Sequence, residues 1–391
     1  MRKTTAFGFY FFYLAAMACL MPYVVLYYQE LGLTGAQIGL LSGMAPLITL
    51  VGAPLWTGIA DATGRHRLAL SLAVGGAATL ALIFPILKTL GPVVVLVAFY
   101  ALFMAPILSL ADSGTMSMLA GQREMYGRIR IGGTLGWALA APIAGMLVQT
   151  HGLKLAFWSY AALMFLVLVI CQRFVFVHSP DRSRIGQGIR TLMADRRWVL
   201  FLVLAFVGGM GFASVNSFFF PYMQELNANE TTMGLALTVS AGAELPVLFF
   251  ANRLLRRFGG RNLFFLGMMI TGIRLLVYAA LRSPAGVLAS QLMNGLTYPI
   301  AWVAGVSYAN ESAPAGLSAT TQGLFGAVVN GFGAAAGGFL GGPLLESIGG
   351  RGLYLVFGII LFASLLIIAL VERRLPAETK AVLSPGESRA E

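Results

Sequence analysis

Tyr126-Gly127-Arg128-Ile129-Arg130-Ile131-Gly132-Gly133-Thr134-Leu135-Gly136-Trp137 sets two guanidinium groups at the mouth of a segment that stays apolar and small through Leu147. An arginine inside hydrocarbon costs roughly 2.5–3.5 kcal/mol on insertion scales, so it needs an acidic partner or a wet cavity. Asp112 is the only charge between Gly91 and Gly121, eighteen residues before Arg130. Trp137 follows Arg130 by seven residues, two turns along the same helical face. An acid, a guanidinium and a flat indole on neighbouring membrane helices would bind a polar solute. A structural ion pair beside an interfacial tryptophan fits the same residues equally well.

Composition extends that reading to the whole chain. Of 391 residues, 58% are hydrophobic and only 10% charged, which excludes an ordinary soluble globule. Apolar runs of about twenty residues, the length that crosses a bilayer, recur throughout. The net charge of +11 would suggest nucleic acid in a soluble protein. Here the basic residues fall between apolar runs, so they report topology and no nucleic-acid partner is expected. Cys19 and Cys171 lie inside apolar segments and read as core residues. Met1-Arg2-Lys3 precedes an apolar stretch that runs past Tyr23 without a cleavage site, so it reads as a first span.

The spans expected are 7–29, 36–60, 68–87, 92–118, 128–149, 155–177, 198–223, 232–254, 263–281, 286–310, 318–343 and 353–372. They make an all-α membrane protein of twelve transmembrane helices in two pseudo-symmetric six-helix halves. The halves cover 1–178 and 198–373, joined by a charged linker at 179–197 and followed by a tail at 374–391. Loops that would face the cytoplasm, with the tails, hold 21 of the 26 Lys and Arg; the exceptions are Lys88, Lys154, Arg274, Arg282 and Arg351. That asymmetry places both termini in the cytoplasm and the protein in the cell membrane.

The halves repeat. Gln29-Glu30-Leu31 and Gln224-Glu225-Leu226 are offset by 195 residues, as are Gly39 and Gly234, and Gly64 and Gly259. Gly145 and Gly152 correspond to Gly342 and Gly349 at an offset of 197. Six spans return the second copy to the same side, so the repeat is parallel. Two such halves meeting across a midplane site are the architecture of a rocking transporter. Gly58, Asp61, Gly64, Arg65 and Arg67, in the loop after the second span, resemble the signature loop of the major facilitator superfamily, with a gating or structural role. The second-half copy keeps Gly259 but has Arg256 where the acid would be.

Within that superfamily, nearly the whole chain resembles the lactose permease group of proton-linked sugar symporters, related to phenylpropionate and nucleoside permeases. The residues that carry the likeness are Arg130, Gly136 and Trp137, Gly242-Ala243-Glu244-Leu245, Gly259-Gly260-Arg261-Asn262, Ile273-Arg274 and Glu346-Ser347-Ile348-Gly349. The resemblance implies that Asp112, Arg130 and Trp137 bind substrate, that Glu244 shares binding and proton coupling, and that Arg274 stands near the proton site. Independently of it, Glu244 and Arg274 fall at similar depth, near 15 Å at roughly 1.5 Å per residue, so they can pair.

The sequence also departs from that group. Where its relatives carry a titrating histidine and glutamate in the tenth span, this chain has Asn294 and Thr297, and Asn330 replaces a lysine in the eleventh. Amides and hydroxyls of this kind do not titrate, which leaves Asp112 and Glu244 as the buried acids. His66, His151 and His178 are far apart, so no metal and no cofactor is expected, and no enzymatic constellation is found. Phe9-Tyr10-Phe11-Phe12-Tyr13 and Phe218-Phe219-Phe220 read first as packing, with cavity lining as the alternative. The expected function is uptake of a small polar, mostly uncharged solute, such as a sugar or nucleoside, by a monomeric symporter coupled to protons. Drug efflux by proton antiport and uncoupled facilitation are the alternatives.

Overall fold

A computed structural model describes residues 2–119, 125–176, 192–314 and 317–374, and contains helices, turns and no strand among them. The expected linker lies outside the described residues as far as 191, and the expected tail lies outside them beyond Arg374. Nine spans are unambiguous: α1 (Lys3–Glu30), α2 (Gly35–Thr63), α3 (His66–Ile86), α4 (Leu90–Leu119), α5 (Tyr126–His151), α6 (Lys154–Cys171), α7 (Arg196–Glu225), α8 (Glu230–Phe258) and α9 (Gly260–Ala280). The tenth, α10, is assembled from Pro284–Ser290, a tight 3-10 stretch Gln291–Leu296, and Tyr298–Glu311. A helical run from Thr320 to Arg373 is too long for one crossing. It breaks at Gly349 (φ 70°, ψ 174°), giving α11 (318–348) and α12 (350–373). The structure thus agrees with twelve spans.

The internal repeat is written into the backbone. Six described residues have positive φ: Gly32, Gly64, Gly152, Asn227, Gly259 and Gly349. Gly32 with Asn227 and Gly64 with Gly259 stand 195 apart, and Gly152 with Gly349 stands 197 apart. All six therefore fall into three repeat pairs, each at the end of a span. Left-handed backbone is costly for residues with a Cβ, and Asn is one of the few non-glycines that tolerates it. Helix starts repeat too. Thr34 accepts from the Gln37 amide at the head of α2, and Asn229 from the Thr232 amide at the head of α8. Tyr27 donates its hydroxyl to the Phe84 and Leu87 carbonyls, and Tyr222 donates its own to the Tyr278 carbonyl.

Packing separates central from peripheral helices. Residues of α1 and α7 are 67% and 61% buried over their apolar windows, against 28% for α2 and 22% for α8, so α1 and α7 sit inside their halves. Gly132, Gly133 and Gly136 let α5 lie directly on α1, where a Cβ at Gly136 would overlap the Phe11 carbonyl.

The two halves meet at the ends remote from the termini. Gly35, Gly39 and Gly43 of α2 lie against Gly338, Phe339 and Gly342 of α11, and the Gly35 amide donates to Glu346 Oε2 at 2.7 Å. Gly145 of α5 lies against Glu230 of α8, and Gly234 against Ala141. Thr238 donates to the Ala138 carbonyl at 2.9 Å and Thr231 to Gln149 Oε1 at 2.5 Å. Without side chains in the way, backbones approach closely and gain dispersion, which drives association where lipid is as apolar as the protein. Gly58, Gly127, Gly242 and Gly323 belong to the same four helices. Nothing lies within 4 Å of the Cβ position at any of them. The halves are closed on the remote side and part toward the side of the termini.

Candidate substrate-binding site

Pro106 interrupts α4 after Met104, and the helix resumes at Ile107 to carry Asp112. Asp112 Oδ2 lies 3.8 Å from Arg130 Nη1 of α5, while Tyr10 of α1 donates to Asp112 Oδ1 at 2.5 Å. Arg130 Nη1 donates to the Tyr126 hydroxyl one turn away at 3.1 Å, and its guanidinium stands 5.8 Å from the ring centres of both Tyr10 and Tyr126. The ion pair is open. At 3.8 Å it is not the bidentate fork a guanidinium forms with a carboxylate, so several Arg130 donors and an Asp112 oxygen remain for other partners. The two side chains keep 46% and 33% of their surface exposed, which a sealed structural pair would not. Paired hydroxyls of a solute match that donor–acceptor set.

A second polar cluster lies in the other half. Arg274 of α9 is buried and surrounded by neutral acceptors: Asn294 Oδ1 at 2.5 Å, Gln291 Oε1 at 2.9 Å, Tyr278 Oη at 3.0 Å and Thr297 Oγ1 at 3.2 Å. The 3-10 geometry of Gln291–Leu296 explains the alignment, because three residues per turn puts Gln291 and Asn294 in line. Asn294 Nδ2 in turn donates to Glu244 Oε1 at 2.7 Å. The direct Glu244–Arg274 pair expected from depth is therefore replaced by a relay: guanidinium, amide, carboxylate. An amide can bridge them because it both accepts and donates. Tyr298 heads the segment that follows the 3-10 stretch and stacks on Trp302.

The remaining expected residues are placed as follows. Trp137 lies half-buried two turns beyond Arg130, and stacks on no other aromatic ring among the described residues. In the loop after α2, Gly64 takes the left-handed conformation that ends the helix. Asp61 bonds His66 Nε2 at 2.7 Å instead of bridging to Arg65 or Arg67, and His66 stacks on Phe176. Arg67 reaches the Gln172 carbonyl at 3.5 Å. Gly58 faces open space. These contacts join the loop to the first half: among the described residues, Asp61 and Arg67 meet His66 and Gln172, both of that half. Among the described residues, no three His, Cys, Asp or Glu gather as a metal site requires.

Sequence reading passed over several members of this constellation. Tyr10 stands in an aromatic run that reads first as packing, yet it holds Asp112. Asn294 and Thr297 read from their chemistry as groups that do not titrate, yet they embrace Arg274. The usable signal for Gln291, Asn294 and Thr297 was their spacing of three in a segment beside a buried arginine.

Comparison with known proteins agrees with this fold. The profile of the MFS_1 like family matches residues 4–356. "Maltose permease" of Geobacillus stearothermophilus is 30% identical over 375 residues, 95% of each chain. "Multidrug resistance protein MdtG" of Salmonella choleraesuis is 23% identical over 287 residues, about 70% of each. The solved nucleoside transporter NupG superposes with a TM-score of 0.84 at 15% identity, covering 95% of this chain and 99% of its own, which shows shared fold. The chain belongs to the MFS_1 like family, and it is a membrane transporter of the major facilitator superfamily.

Proposed function

We propose that this transporter takes up a small polar, mostly uncharged solute of sugar-like hydroxyl pattern, with a proton as the coupling ion. The observation that carries the reading is the open, half-exposed Asp112–Arg130 pair: its spare donors and acceptors suit hydroxyl pairs and suit a greasy cargo poorly. Trp137, with a ring face uncovered by other aromatics, supplies a surface for the C–H side of a pyranose. Similarity to a maltose permease across nearly the whole chain supports the same class.

Transport follows from the fold by alternating access, the halves 1–178 and 198–373 rocking about the site between them. With both termini cytoplasmic, the conformation described is closed outward and open inward, and the Asp61, Arg65 and Arg67 loop engages when the inner side shuts. Glu244 is the proton carrier, with Arg274 reaching it through Asn294. Efflux of apolar compounds is the rival reading, favoured by the match to a multidrug resistance protein. A thermal-shift screen of the purified protein against sugars, nucleosides, aromatic acids and lipophilic cations separates the two. Stabilisation by a sugar, lost in Arg130→Ala, supports uptake of a polar solute. Stabilisation by lipophilic cations alone would overturn it.

A further inference from the structure

The outer face of α8 carries a feature that transport does not use. One face of this helix seats Gly234 and Thr238 against α5, and another seats Ala243 and Glu244 against the 3-10 stretch of α10. At 100° per residue, Phe250, Arg253 and Arg257 lie roughly 100–160° around the helix from Gly234, away from the seam with α5. There they line a cavity of about 310 Å³ whose other walls are Pro246, Val247, Leu254 and Phe258. Phe250 is 49% and Phe258 41% exposed, and both arginines are exposed. Neither arginine has an acidic partner among the described residues; Arg257 lies only over the Phe258 ring, at 5.5 Å. Phe258 is also a wall of a second, polar cavity of about 240 Å³, which reaches Arg197 and Arg261. An apolar trough thus meets a basic end at the level where α8 leaves the membrane.

We propose that this trough is a binding site for one anionic phospholipid of the leaflet on the side of the termini. An acyl chain lies along Val247, Phe250 and Leu254, and the phosphate meets Arg253 and Arg257. The complementarity is amphipathic: a soluble anion would leave the trough uncovered, and a zwitterionic lipid brings no net charge to the unpaired arginines. Basic side chains at a membrane surface are each worth about 1 kcal/mol toward anionic lipid, so the site needs the trough as well as the charge to hold one molecule in place.

Native mass spectrometry of the full chain in detergent, titrated with phosphatidylglycerol or phosphatidylcholine of matched chains, tests this. Phosphatidylglycerol should be retained preferentially at one per chain. Arg253→Gln and Arg257→Gln should each weaken retention roughly fivefold, while the Lys variants at the same positions keep most of it. Arg256→Gln removes the same charge from a neighbour that does not line the trough, and should change retention little. Equal retention of the two lipids, or an equal loss in Arg256→Gln, would reduce the feature to general surface charge and overturn the proposal. So would full competition by glycerol phosphate, which marks a soluble-anion site, or unchanged retention in the double Gln variant.

Discussion

Arg130 meets an acid at 3.8 Å and two tyrosine rings, and it still keeps nearly half of its side-chain surface. A side chain held so loosely is placed to bind something else. Arg130→Ala should therefore lower substrate affinity by roughly a hundredfold, near the low end of what truncating one partner of a hydrogen-bonded charge pair costs. Trp137→Phe keeps a ring face and should lose much less. Calorimetric titration of folded protein checks both, and an unchanged Kd in Arg130→Ala removes the site. In the second cluster, Asn294 both accepts from Arg274 and donates to Glu244. Asn294→Leu strands a guanidinium contact and a carboxylate contact together. It should cost about 1–3 kcal/mol of stability by leaving buried polar groups unsatisfied. Thermal unfolding in detergent reads this as a lowered Tm, and an unshifted Tm would mean that Arg274 finds its partners without the amide.

At the scale of helices, three pairs of left-handed residues punctuate the chain in register, and they make a sharp expectation. Gly64→Ala and Gly259→Ala place a Cβ at φ 66° and 73°, where nothing clashes in space but the backbone itself is strained. Each should cost about 1–2 kcal/mol, whereas Asn227→Gly, at φ 63°, should be neutral or stabilising. If Gly64→Ala and Asn227→Gly shift Tm alike, the conformational argument fails. These same glycines were legible in the sequence because a span end that must turn left-handed tolerates few other residues. The spans were legible because twenty apolar residues have few uses outside a bilayer. The interruption of α10 was only partly so: Pro299 favours a break before it, but the 3-10 winding of Gln291–Leu296, which offers acceptors to buried Arg274, has no mark in composition. Tyr10 was hidden for another reason: its partner Asp112 lies 102 residues away, and a tyrosine in an aromatic run reads first as packing.

For the whole molecule, the halves touch on the side remote from the termini and part on the other, so transport requires those contacts to exchange. Asp61 is satisfied within its own half by His66 in the open arrangement. Asp61→Asn retains a hydrogen-bonding group there but no charge, so it should penalise the state that needs the charge, with the terminus side closed. Cysteine accessibility from each side should then favour the open form, and an unaltered ratio would remove the gating role. Coupling is the stricter test of the molecule as a machine. Glu244 receives a hydrogen bond from Asn294, whose carbonyl oxygen accepts from Arg274. When the halves rock, any change in that amide contact alters how well the carboxylate's charge is held, because hydrogen bonds to the charged form favour it and desolvation opposes it. A carboxyl alternately held and released in this way loads a proton on one side and gives it up on the other. Glu244→Gln fixes the group neutral, which should abolish accumulation against a gradient while leaving exchange of substrate measurable. Uptake in proteoliposomes with and without an imposed pH gradient decides the matter. Wild-type uptake indifferent to the gradient would end proton coupling, and Glu244→Gln uptake that still accumulates substrate would move the proton site elsewhere, with Asp112 the next acid to substitute.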